Sequence, residues 1–331
     1  MKNSLFRSSF LSFMPIVAVG ILMMSSWLPK PNSKFGGVQM GAITYSYRSM
    51  PHDVDKLIQL CVESNVGAIE LMGDAVEEYA GKPKLPFTMP PFVNGQRPKL
   101  TDEQRAQMAE YNKKVAEWRS TVSMDKFKEV RKKFKKAGIS IYAYKPRAFE
   151  VNNTDAEVEY GMRAAKALGA QSITLEMPTD PAQTKRLGDL GAKHKMYVGY
   201  HAHLQARDTL WDVALAQSPY NTLNLDCGHY IAVGGQNTTA SLLKLIEAKH
   251  DRITSMHIKD RQNKDHGQAN LAWGKGDTPI KEILLLMKNK GYKFPASVEL
   301  EYEIPAGSDA VKEVAKCIEY TKNILEGKSN S

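Results

Sequence analysis

The sequence predicts an α/β protein whose parallel strands close into an eight-stranded barrel, and two observations support this fold. Eight short β-rich runs alternate with longer amphipathic stretches along the 331 residues, which is typical of βα units around a parallel sheet. The later runs also end in acidic and histidine residues, and catalytic groups in such barrels come from the carboxyl ends of the strands. The length fits one large domain or two small ones, and a single (β/α)8 TIM barrel accounts for all eight runs.

The individual elements follow from local patterns. Runs of β-branched and aromatic residues predict strands at 38–44, 68–72, 140–144, 172–176, 197–201, 222–226, 254–258 and 296–301. Apolar residues at helical spacing predict helices at 53–64, 124–137, 155–167, 182–194, 239–248, 278–290 and 309–325. We therefore expect a helix after each strand.

A long insertion interrupts this rhythm after the second strand. Residues 73–123 are far more than a βα connection needs, and they contain a proline-rich piece at 83–91. Thr101 is then the N-cap of a helix that has Asp102 and Glu103 in its first turn and runs to about Val122. At the catalytic end of a barrel this segment would be a lid or substrate wall; the alternative is a helix packed on the outside of the barrel.

The first 33 residues differ from the rest of the chain. Lys2 and Arg7 precede an apolar run at 10–27, and Pro29 and Pro31 follow it, which is typical of an export signal. Residues 25–27 lack a small-x-small cleavage pattern, so an uncleaved membrane anchor is the alternative. We expect an exported, periplasmic protein with the barrel at 34–331, and no stable membrane contact unless the leader is retained.

Charge and cysteine content disfavour several classes of protein. The formal net charge is +9, and much of the excess lies in lysines between 113 and 136 that alternate with apolar residues at helical spacing. This pattern favours a solvated helix face over a nucleic-acid patch, so we expect no nucleic-acid partner. Cys61, Cys227 and Cys317 have no metal-type spacing, and they predict isolated thiols rather than a disulfide framework.

Two histidines end the fifth predicted strand. Successive side chains on a strand alternate between two faces, so His201 and His203 are expected to point to the same side. Such a pair is either a hydrogen-bonded core pair or a set of metal ligands and proton shuttles. The side chains at the ends of the neighbouring strands distinguish between these two interpretations.

Acidic, histidine and lysine side chains also end the neighbouring strands. They are Glu176 on the fourth strand, Asp226 and His229 on the sixth, His257 and Lys259 on the seventh, and Glu299 and Glu301 on the eighth. Because the carboxyl ends of parallel strands meet at one end of a barrel, these groups predict a divalent metal site lined by oxygen and nitrogen. The absence of cysteine pairs disfavours a structural zinc site.

Alternation along the strands assigns roles within this set. Glu299 is expected to reach the metal, while Glu301, nearer the mouth, holds substrate or a ligand. Asp226 is the ligand of the sixth strand. His229, three residues further on, is placed to bind substrate hydroxyls.

Two cations and one aromatic residue remain ambiguous. Lys259 would stabilise an enolate or oxyanion beside the metal, or it forms a salt bridge to Asp226 or to a glutamate. Lys145, at the end of the third strand, has the same two interpretations. Trp273, in a Trp-Gly-Lys-Gly-Asp segment, offers an aromatic face for stacking on a sugar, and its Gly-x-Gly is too weak a signal for a phosphate loop.

With these residues the sequence resembles the sugar phosphate isomerase/epimerase superfamily of xylose isomerase-like TIM barrels. The resemblance covers about residues 35–325, and it is carried by Tyr-His-Ala-His at 200–203, Asp-Cys-Gly-His at 226–229, His-Ile-Lys-Asp at 257–260, Trp-Gly-Lys-Gly-Asp at 273–277 and Glu-Leu-Glu at 299–301. The resemblance implies one divalent metal ion, which is manganese, cobalt, zinc or magnesium. Asp226, His257 and Glu299 match the metal ligands most directly.

The chain departs from the ketose-epimerase pattern at the fifth strand. His201 occupies the position of a glutamate that is metal ligand and catalytic base in those epimerases, which puts a relay of two carboxylates in doubt. Glu176, one strand earlier, is the expected replacement carboxylate and metal ligand, and His203 is expected to touch the substrate. Endonuclease IV needs further histidines where this chain has Glu70 and Tyr142, so abasic-site cleavage is not expected.

The resemblance and the leader together imply an exported enzyme that acts on free sugars or keto-glycosides. The expected step is abstraction of a proton α to a sugar carbonyl, with His201, Glu299 and Lys259 as catalytic groups and with His201, His203 and Glu299 as the candidate bases. Reprotonation gives an isomerase or epimerase, and loss of the β-substituent gives a 3-keto-glycoside lyase or hydratase. The insertion resembles that of exported members associated with glycoside breakdown. A sugar-binding barrel without catalysis is the remaining alternative.

Overall fold

Eight parallel strands form the centre of the protein in the computed structural model, which describes residues 29–51, 53–90 and 98–328. They are β1 Val38–Ile43, β2 Ala68–Met72, β3 Ser140–Lys145, β4 Ser172–Glu176, β5 Tyr197–His201, β6 Asn221–Asp226, β7 Ile253–Ile258 and β8 Ala296–Val298. Each strand pairs with the next, and β1 pairs with both β2 and β8. The sheet is therefore closed, and the predicted TIM barrel is confirmed.

Helices connect the strands around the barrel. They are α1 Val54–Glu63, α2 Gly73–Tyr79, α3 Asp102–Thr121, α4 Asp125–Lys136, α5 Asp155–Leu168, α6 Pro181–His194, α7 Asp212–Gln217, α8 Cys227–Val233, α9 Thr239–Lys249, α10 Ile280–Lys290 and α11 Ala310–Glu326. The sequence patterns missed α2, α7 and α8, because helices of six or seven residues are too short to show a helical period. Three further strands are short. Lys34–Phe35 pairs antiparallel with β1 of the barrel, and Asp260–Arg261 pairs antiparallel with Asn270–Leu271.

The alternation of side chains along β5 explains how the barrel places its polar groups. Val198 and Tyr200 belong to the buried apolar core, and the Tyr200 hydroxyl donates to Asn221 Oδ1 at 3.0 Å. Gly199 and His201 point to the opposite side, into the barrel. A Cβ on Gly199 would lie 3.2 Å from Thr254 Oγ1, so the barrel interior is already tightly filled below His201.

The eighth strand is shorter than predicted. It ends at Val298, so Glu299 and Glu301 follow the strand rather than complete it. The Glu299 amide still donates to Ile258 O at 3.0 Å, which continues the ladder by one bond. The alternation argument therefore does not apply to Glu301, whose side chain is placed by the loop instead.

The insertion contains the helix that its sequence predicts. Thr101 caps α3, and its side chain and that of Gln104 form a reciprocal capping box. Near its carboxyl end α3 packs on α5, where the rings of Trp118 and Tyr160 meet edge to face with centroids 5.5 Å apart. Residues 91–97, in the proline-rich part of the insertion, lie outside the described residues.

The structure also bears on the predictions made for the leader, the cysteines and the lysine-rich helix. Most of the predicted leader, residues 1–28, lies outside the described residues. Among the residues that are described, no helix has an apolar stretch long enough to cross a membrane.

Cys61, Cys227 and Cys317 are buried free thiols, as predicted. In α4 the buried side chains are Phe127, Val130 and Phe134, and most of its lysines are exposed on the other face.

Candidate functional site

Four buried side chains from four neighbouring strands meet at the carboxyl end of the barrel. They are His201 on β5, Asp226 on β6, His257 on β7 and Glu299 just after β8, and one donor atom of each lies within 4.8 Å of all the others. The register of the sheet contributes directly, because Asp226 and His257 are paired residues of β6 and β7. We call these four residues the metal cluster, since their atoms and spacing are those of a set that could hold a divalent ion.

His257 is held between two carboxylates. Its Nδ1 lies 2.9 Å from Glu299 Oε2, and its Nε2 lies 2.8 Å from Glu70 Oε2. Burial lowers the pKa of His257, but the charges of Glu299 and Glu70 outweigh burial and raise that pKa to about 10. Without a metal ion, His257 is therefore an imidazolium at neutral pH.

Glu70 is the residue of this site that sequence reasoning missed. It lies on β2 inside the barrel, where its carboxylate accepts hydrogen bonds from Thr174 Oγ1 at 2.7 Å and from Asn224 Nδ2 at 3.0 Å. Burial raises the pKa of Glu70, yet the neighbouring His257 lowers it below its usual range. The available signal was a single charged residue within an otherwise apolar strand, Ala68–Met72.

Asp226 supplies an observation that favours a cation in the cluster. Its Oδ1 accepts a 2.6 Å hydrogen bond from the amide of His229, which caps α8. Its buried Oδ2 has no hydrogen-bond partner among the described residues, although Lys259 Nζ is 3.0 Å away as an ion pair without hydrogen-bond geometry. Burial raises the pKa of Asp226 to about 6. A divalent ion would give this oxygen a partner.

Lys259 is the internal cation of the site. Its Nζ lies 2.7 Å from Glu299 Oε2, 2.7 Å from Glu301 Oε2 and 3.0 Å from Asp226 Oδ2. Burial lowers the pKa of Lys259, but these carboxylates raise it well above its usual range. The salt-bridge interpretation of Lys259 is thus what the structure shows. The same ammonium would compete with a metal ion for Asp226 and Glu299.

His229 lies between two cationic side chains. Lys259 Nζ is 3.1 Å from its Nε2, and Arg261 Nη1 is 2.6 Å from its Nδ1. Burial and the charge of Lys259 lower the pKa of His229 to about 2, so its ring is neutral. A neutral imidazole has one acceptor nitrogen, so the ring can accept a hydrogen bond from only one of these neighbours.

Three further predicted residues lie together beside the metal cluster. Lys145 Nζ pairs with Glu176 Oε1 at 2.9 Å, and Glu176 Oε2 lies 3.3 Å from His203 Nε2. The rings of His203 and His229 are stacked with centroids 4.4 Å apart, and His201 meets His203 edge to face at 4.9 Å. The two histidines at the end of β5 therefore do share one space, His201 buried and His203 exposed.

The position of Glu176 corrects one expectation. The side chain of Glu176 is 54% exposed, and its carboxylate is not among the four donors of the metal cluster. Its partners Lys145 and His203 hold it at the mouth, because it lies at the end of β4, level with His201 in the paired strand. This arrangement groups Glu176 with Lys145 and His203 rather than with the four residues of the metal cluster.

Trp273 is a second correction. Its ring is buried, with Tyr320 meeting it edge to face at 6.0 Å, so it does not present an open face to a sugar. The loop that follows it is organised by Asp260, whose Oδ2 accepts from the amides of Gly274 at 2.7 Å and Gly276 at 2.9 Å. The Gly-x-Gly amides are therefore used within the protein. A Cβ on Gly276 would lie only 2.3 Å from Asp260 Oδ1, which explains the glycine.

The sequence was compared with protein families and with curated proteins. The family described as the xylose isomerase-like TIM barrel matches residues 106–322 of the sequence. Among curated proteins, no sequence shows significant similarity to this chain.

Solved structures share the fold at low sequence identity. A 3-keto-D-glucoside 4-epimerase from E. coli is 10% identical, with a TM-score of 0.55 over 86% of this chain and 99% of that one. A D-psicose 3-epimerase from Clostridium cellulolyticum H10, with D-tagatose, is 10% identical, with a TM-score of 0.56 over 87% and 99%. A probable 3-DHS dehydratase from Bacillus anthracis is 15% identical, with a TM-score of 0.57 over 86% and 99%.

These likenesses establish the fold, and the family match carries the assignment further because it spans more than half of the sequence. The matched segment contains the three strand ends and the loop from which all four residues of the metal cluster come. The chain belongs to the xylose isomerase-like TIM barrel family.

Proposed function

We propose that this protein is a divalent-metal-dependent sugar isomerase or epimerase that removes a proton from the carbon next to a sugar carbonyl. The observation that carries the proposal is the metal cluster, in which two imidazoles and two carboxylates converge, and in which Asp226 Oδ2 has an ion pair to Lys259 but no hydrogen-bond partner among the described residues. Such a site is what enolisation needs, because the developing negative charge must be stabilised in a place that excludes water.

The metal ion would be held by His201, Asp226, His257 and Glu299. When bound, it polarises the carbonyl and the adjacent oxygen of the sugar as a Lewis acid. Two imidazole ligands fit manganese, cobalt or zinc better than magnesium, which prefers oxygen ligands.

Three groups are candidates for the base, and their surroundings differ. Glu299 is in contact with both Lys259 and His257; although burial raises its pKa, these cations hold it well below the usual range, so Glu299 is a weak base. Burial lowers the pKa of His201, and its Nδ1 lies 3.1 Å from Asn224 Oδ1, which leaves Nε2 as the metal-cluster donor. His203 is outside the metal cluster and close to Glu176. We therefore assign proton abstraction to the His203–Glu176 pair.

The remaining groups hold the substrate and its charge. Lys259 donates hydrogen bonds within the site and is positioned to stabilise the oxygen of an enediolate. His229, Glu301 and Lys145 surround the same space and are assigned to the sugar hydroxyls. Export to the periplasm, which the leader pattern predicts, belongs to the proposal, because it would bring the enzyme into contact with free sugars and glycosides.

A 3-keto-glycoside lyase or hydratase is the second candidate. The observation that favours it is a cavity of about 560 Å³ lined by residues of the insertion and of the loop after β3, which gives room for a group beyond one sugar ring. The same enolisation then ends in loss of the β-substituent instead of reprotonation.

Proton exchange in heavy water distinguishes these outcomes. The protein, loaded with manganese or cobalt, is incubated with free ketoses, 3-keto-glucosides and their parent glycosides, and the reaction is followed by NMR. Deuterium uptake without elimination supports the epimerase, and elimination supports the lyase. Absence of both across the panel favours a barrel that only binds sugar and contradicts the proposal.

Two variants connect the activity to the metal cluster. Glu299→Ala and His257→Ala are expected to lose both bound metal and proton exchange. Glu319→Gln, on the exposed side of α11, is the matched control and should behave like the native protein. Full activity of either cluster variant, with its metal retained, would contradict the assignment.

A further inference from the structure

A cavity of about 560 Å³ separates the insertion from the loop after β3, away from the four residues of the metal cluster. One wall is a single face of α3, which contributes Met108, Tyr111, Val115 and Arg119 at helical spacing. The volume lies in the range of pockets that enclose whole small molecules.

The cavity opens on the same end of the barrel as the metal cluster. Asp74 and Arg147, which line it, follow the carboxyl ends of β2 and β3. These two strand ends are in close contact, since a Cβ on Gly73 would lie 2.8 Å from the Cα of Pro146. Lys145, the residue before Pro146, pairs with Glu176 at the mouth. The lining residue Arg147 is therefore two positions along the chain from Lys145 at the mouth.

The charged groups along the cavity are largely neutralised within the protein. Arg119 is buried, and its Nη1 pairs with Glu157 Oε1 at 2.8 Å. Lys82 pairs with Glu77 Oε2 at 2.8 Å and lies 3.4 Å from Asp74 Oδ1. The lining contains three basic side chains, Lys82, Arg119 and Arg147, and three acidic ones, Asp74, Glu150 and Glu157, and this balance favours a ligand without a strong net charge.

The guanidinium of Arg119 is fixed within the wall of the cavity. Arg119 Nη2 donates to Arg147 O at 2.9 Å, while the buried Nε has no hydrogen-bond acceptor among the described residues. Because this Nε has almost no accessible surface, a ligand in the cavity does not reach it. Met108, Tyr111 and Val115 form the apolar surface beside this side chain.

We propose that this cavity binds the aglycone of a glycoside substrate, the uncharged ring attached to the anomeric oxygen, while the sugar itself lies at the metal cluster. This inference rests on the proposed function, because it assigns the second part of the same substrate. The apolar face of α3, formed by Met108, Tyr111 and Val115, suits the flat side of a ring.

The test compares probes that differ only in the aglycone. The probes are the 3-keto derivatives of 4-nitrophenyl β-glucoside and of methyl β-glucoside, and proton exchange or elimination is measured for each. The native protein is expected to show a lower KM for the nitrophenyl probe. Tyr111→Ala and Met108→Ala should each raise that KM about tenfold and leave the methyl probe unchanged.

A matched control removes an exposed tyrosine elsewhere. Tyr197 lies at the start of β5, at the opposite end of the barrel, and Tyr197→Ala should change neither probe. Equal effects of Tyr111→Ala and Met108→Ala on both probes, or no effect on either, would overturn the aglycone assignment.

Failure of the proposed function has a different signature. If neither probe reacts, the proposed function is wrong, and the cavity is then tested by binding of unreacted 4-nitrophenyl β-glucoside. Isothermal titration calorimetry measures that binding. Binding to the native protein that Tyr111→Ala abolishes would retain the cavity as an aglycone site, and absence of binding would overturn that as well.

Discussion

His257 Nε2 lies 2.8 Å from Glu70 Oε2, and both side chains are completely buried inside the barrel. The contact joins β7 to β2 across the barrel interior, and it leaves Nδ1 of the same ring facing Glu299. A carboxylate behind a ligating histidine fixes the orientation of the ring and raises its basicity. Glu70 is therefore a positioning residue for the metal cluster.

Replacing Glu70 by glutamine keeps the shape of the side chain and removes its charge. We expect Glu70→Gln to bind manganese or cobalt about tenfold more weakly, because His257 loses the carboxylate that orients it. Competition with a metal-binding dye measures the affinity. Glu63→Gln changes an exposed glutamate of α1 and is the control, which should leave the metal affinity unchanged. Unchanged affinity in Glu70→Gln would show that Glu70 only fills space.

Metal affinity should rise with pH, because the ion competes with protons for two ligands. The pKa of His257 is raised to about 10 by its carboxylates, and the pKa of Asp226 is raised to about 6 by burial. Between these values one proton leaves per ion bound, so affinity increases about tenfold per pH unit. Below pH 6 a second proton leaves, and the slope doubles. Competition with a metal-binding dye from pH 5 to 9 measures the metal affinity at each pH. A constant affinity from pH 7 to 9 would contradict a protonated His257.

Lys259→Met separates metal binding from catalysis. Without the ammonium, Asp226 and Glu299 lose a competing cation, and metal affinity should increase by more than about tenfold. Turnover should fall by about a hundredfold or more, since the oxyanion loses its hydrogen-bond donor. The metal-free variant should also unfold at a lower temperature, because its buried carboxylates are no longer neutralised.

The control for this variant is Lys275→Met, which changes an exposed lysine in the loop after β7. It should leave affinity, turnover and melting temperature unchanged. Weaker metal binding in Lys259→Met would mean that the lysine supports the cluster and does not compete with the ion.

Asp260→Ala tests the loop that contains Trp273. The Asp260 carboxylate accepts from the amides of Gly274, Lys275, Gly276 and Thr278 at 2.7–3.2 Å. Removing it deprives the amides of Gly274, Gly276 and Thr278 of this acceptor, while the Lys275 amide keeps its bond to Ala272 O, and we expect a loss of about 3 kcal/mol in the free energy of unfolding. Urea denaturation measures the loss. Asp265→Ala, at an exposed aspartate nearby, should cost far less, and a similar value for both variants would contradict the structural role of Asp260.

Much of the fold was predictable because its signals are local. In β5, Val198 and Tyr200 point outward to the helices, while Gly199 and His201 point into the barrel, and this alternation is visible in the sequence. Runs of strand length occur eight times in total, one for each barrel strand. The capping box at Thr101 likewise needs only four residues of sequence. Short elements such as α7 were missed for the same reason, since they contain too little pattern.

The grouping of His201, Asp226, His257 and Glu299 was also predictable from sequence, because the carboxyl ends of parallel strands meet whatever the details of packing. What a strand pattern cannot specify is which side chain faces which across the closed barrel. That depends on register, strand ends and competition among charges.

Three residues illustrate this limit. Glu70 reaches His257 from the far side of the barrel, a contact that no spacing along the chain encodes. Glu176 pairs with Lys145 and His203 at the mouth and is not among the four residues of the metal cluster. Lys259 had two interpretations until the positions of Asp226 and Glu299 made it their counter-ion. The sequence thus specifies which groups arrive at the end of the barrel, while closure of the sheet selects their partners, because electrostatic and hydrogen-bond energies depend on distances that only the folded chain defines.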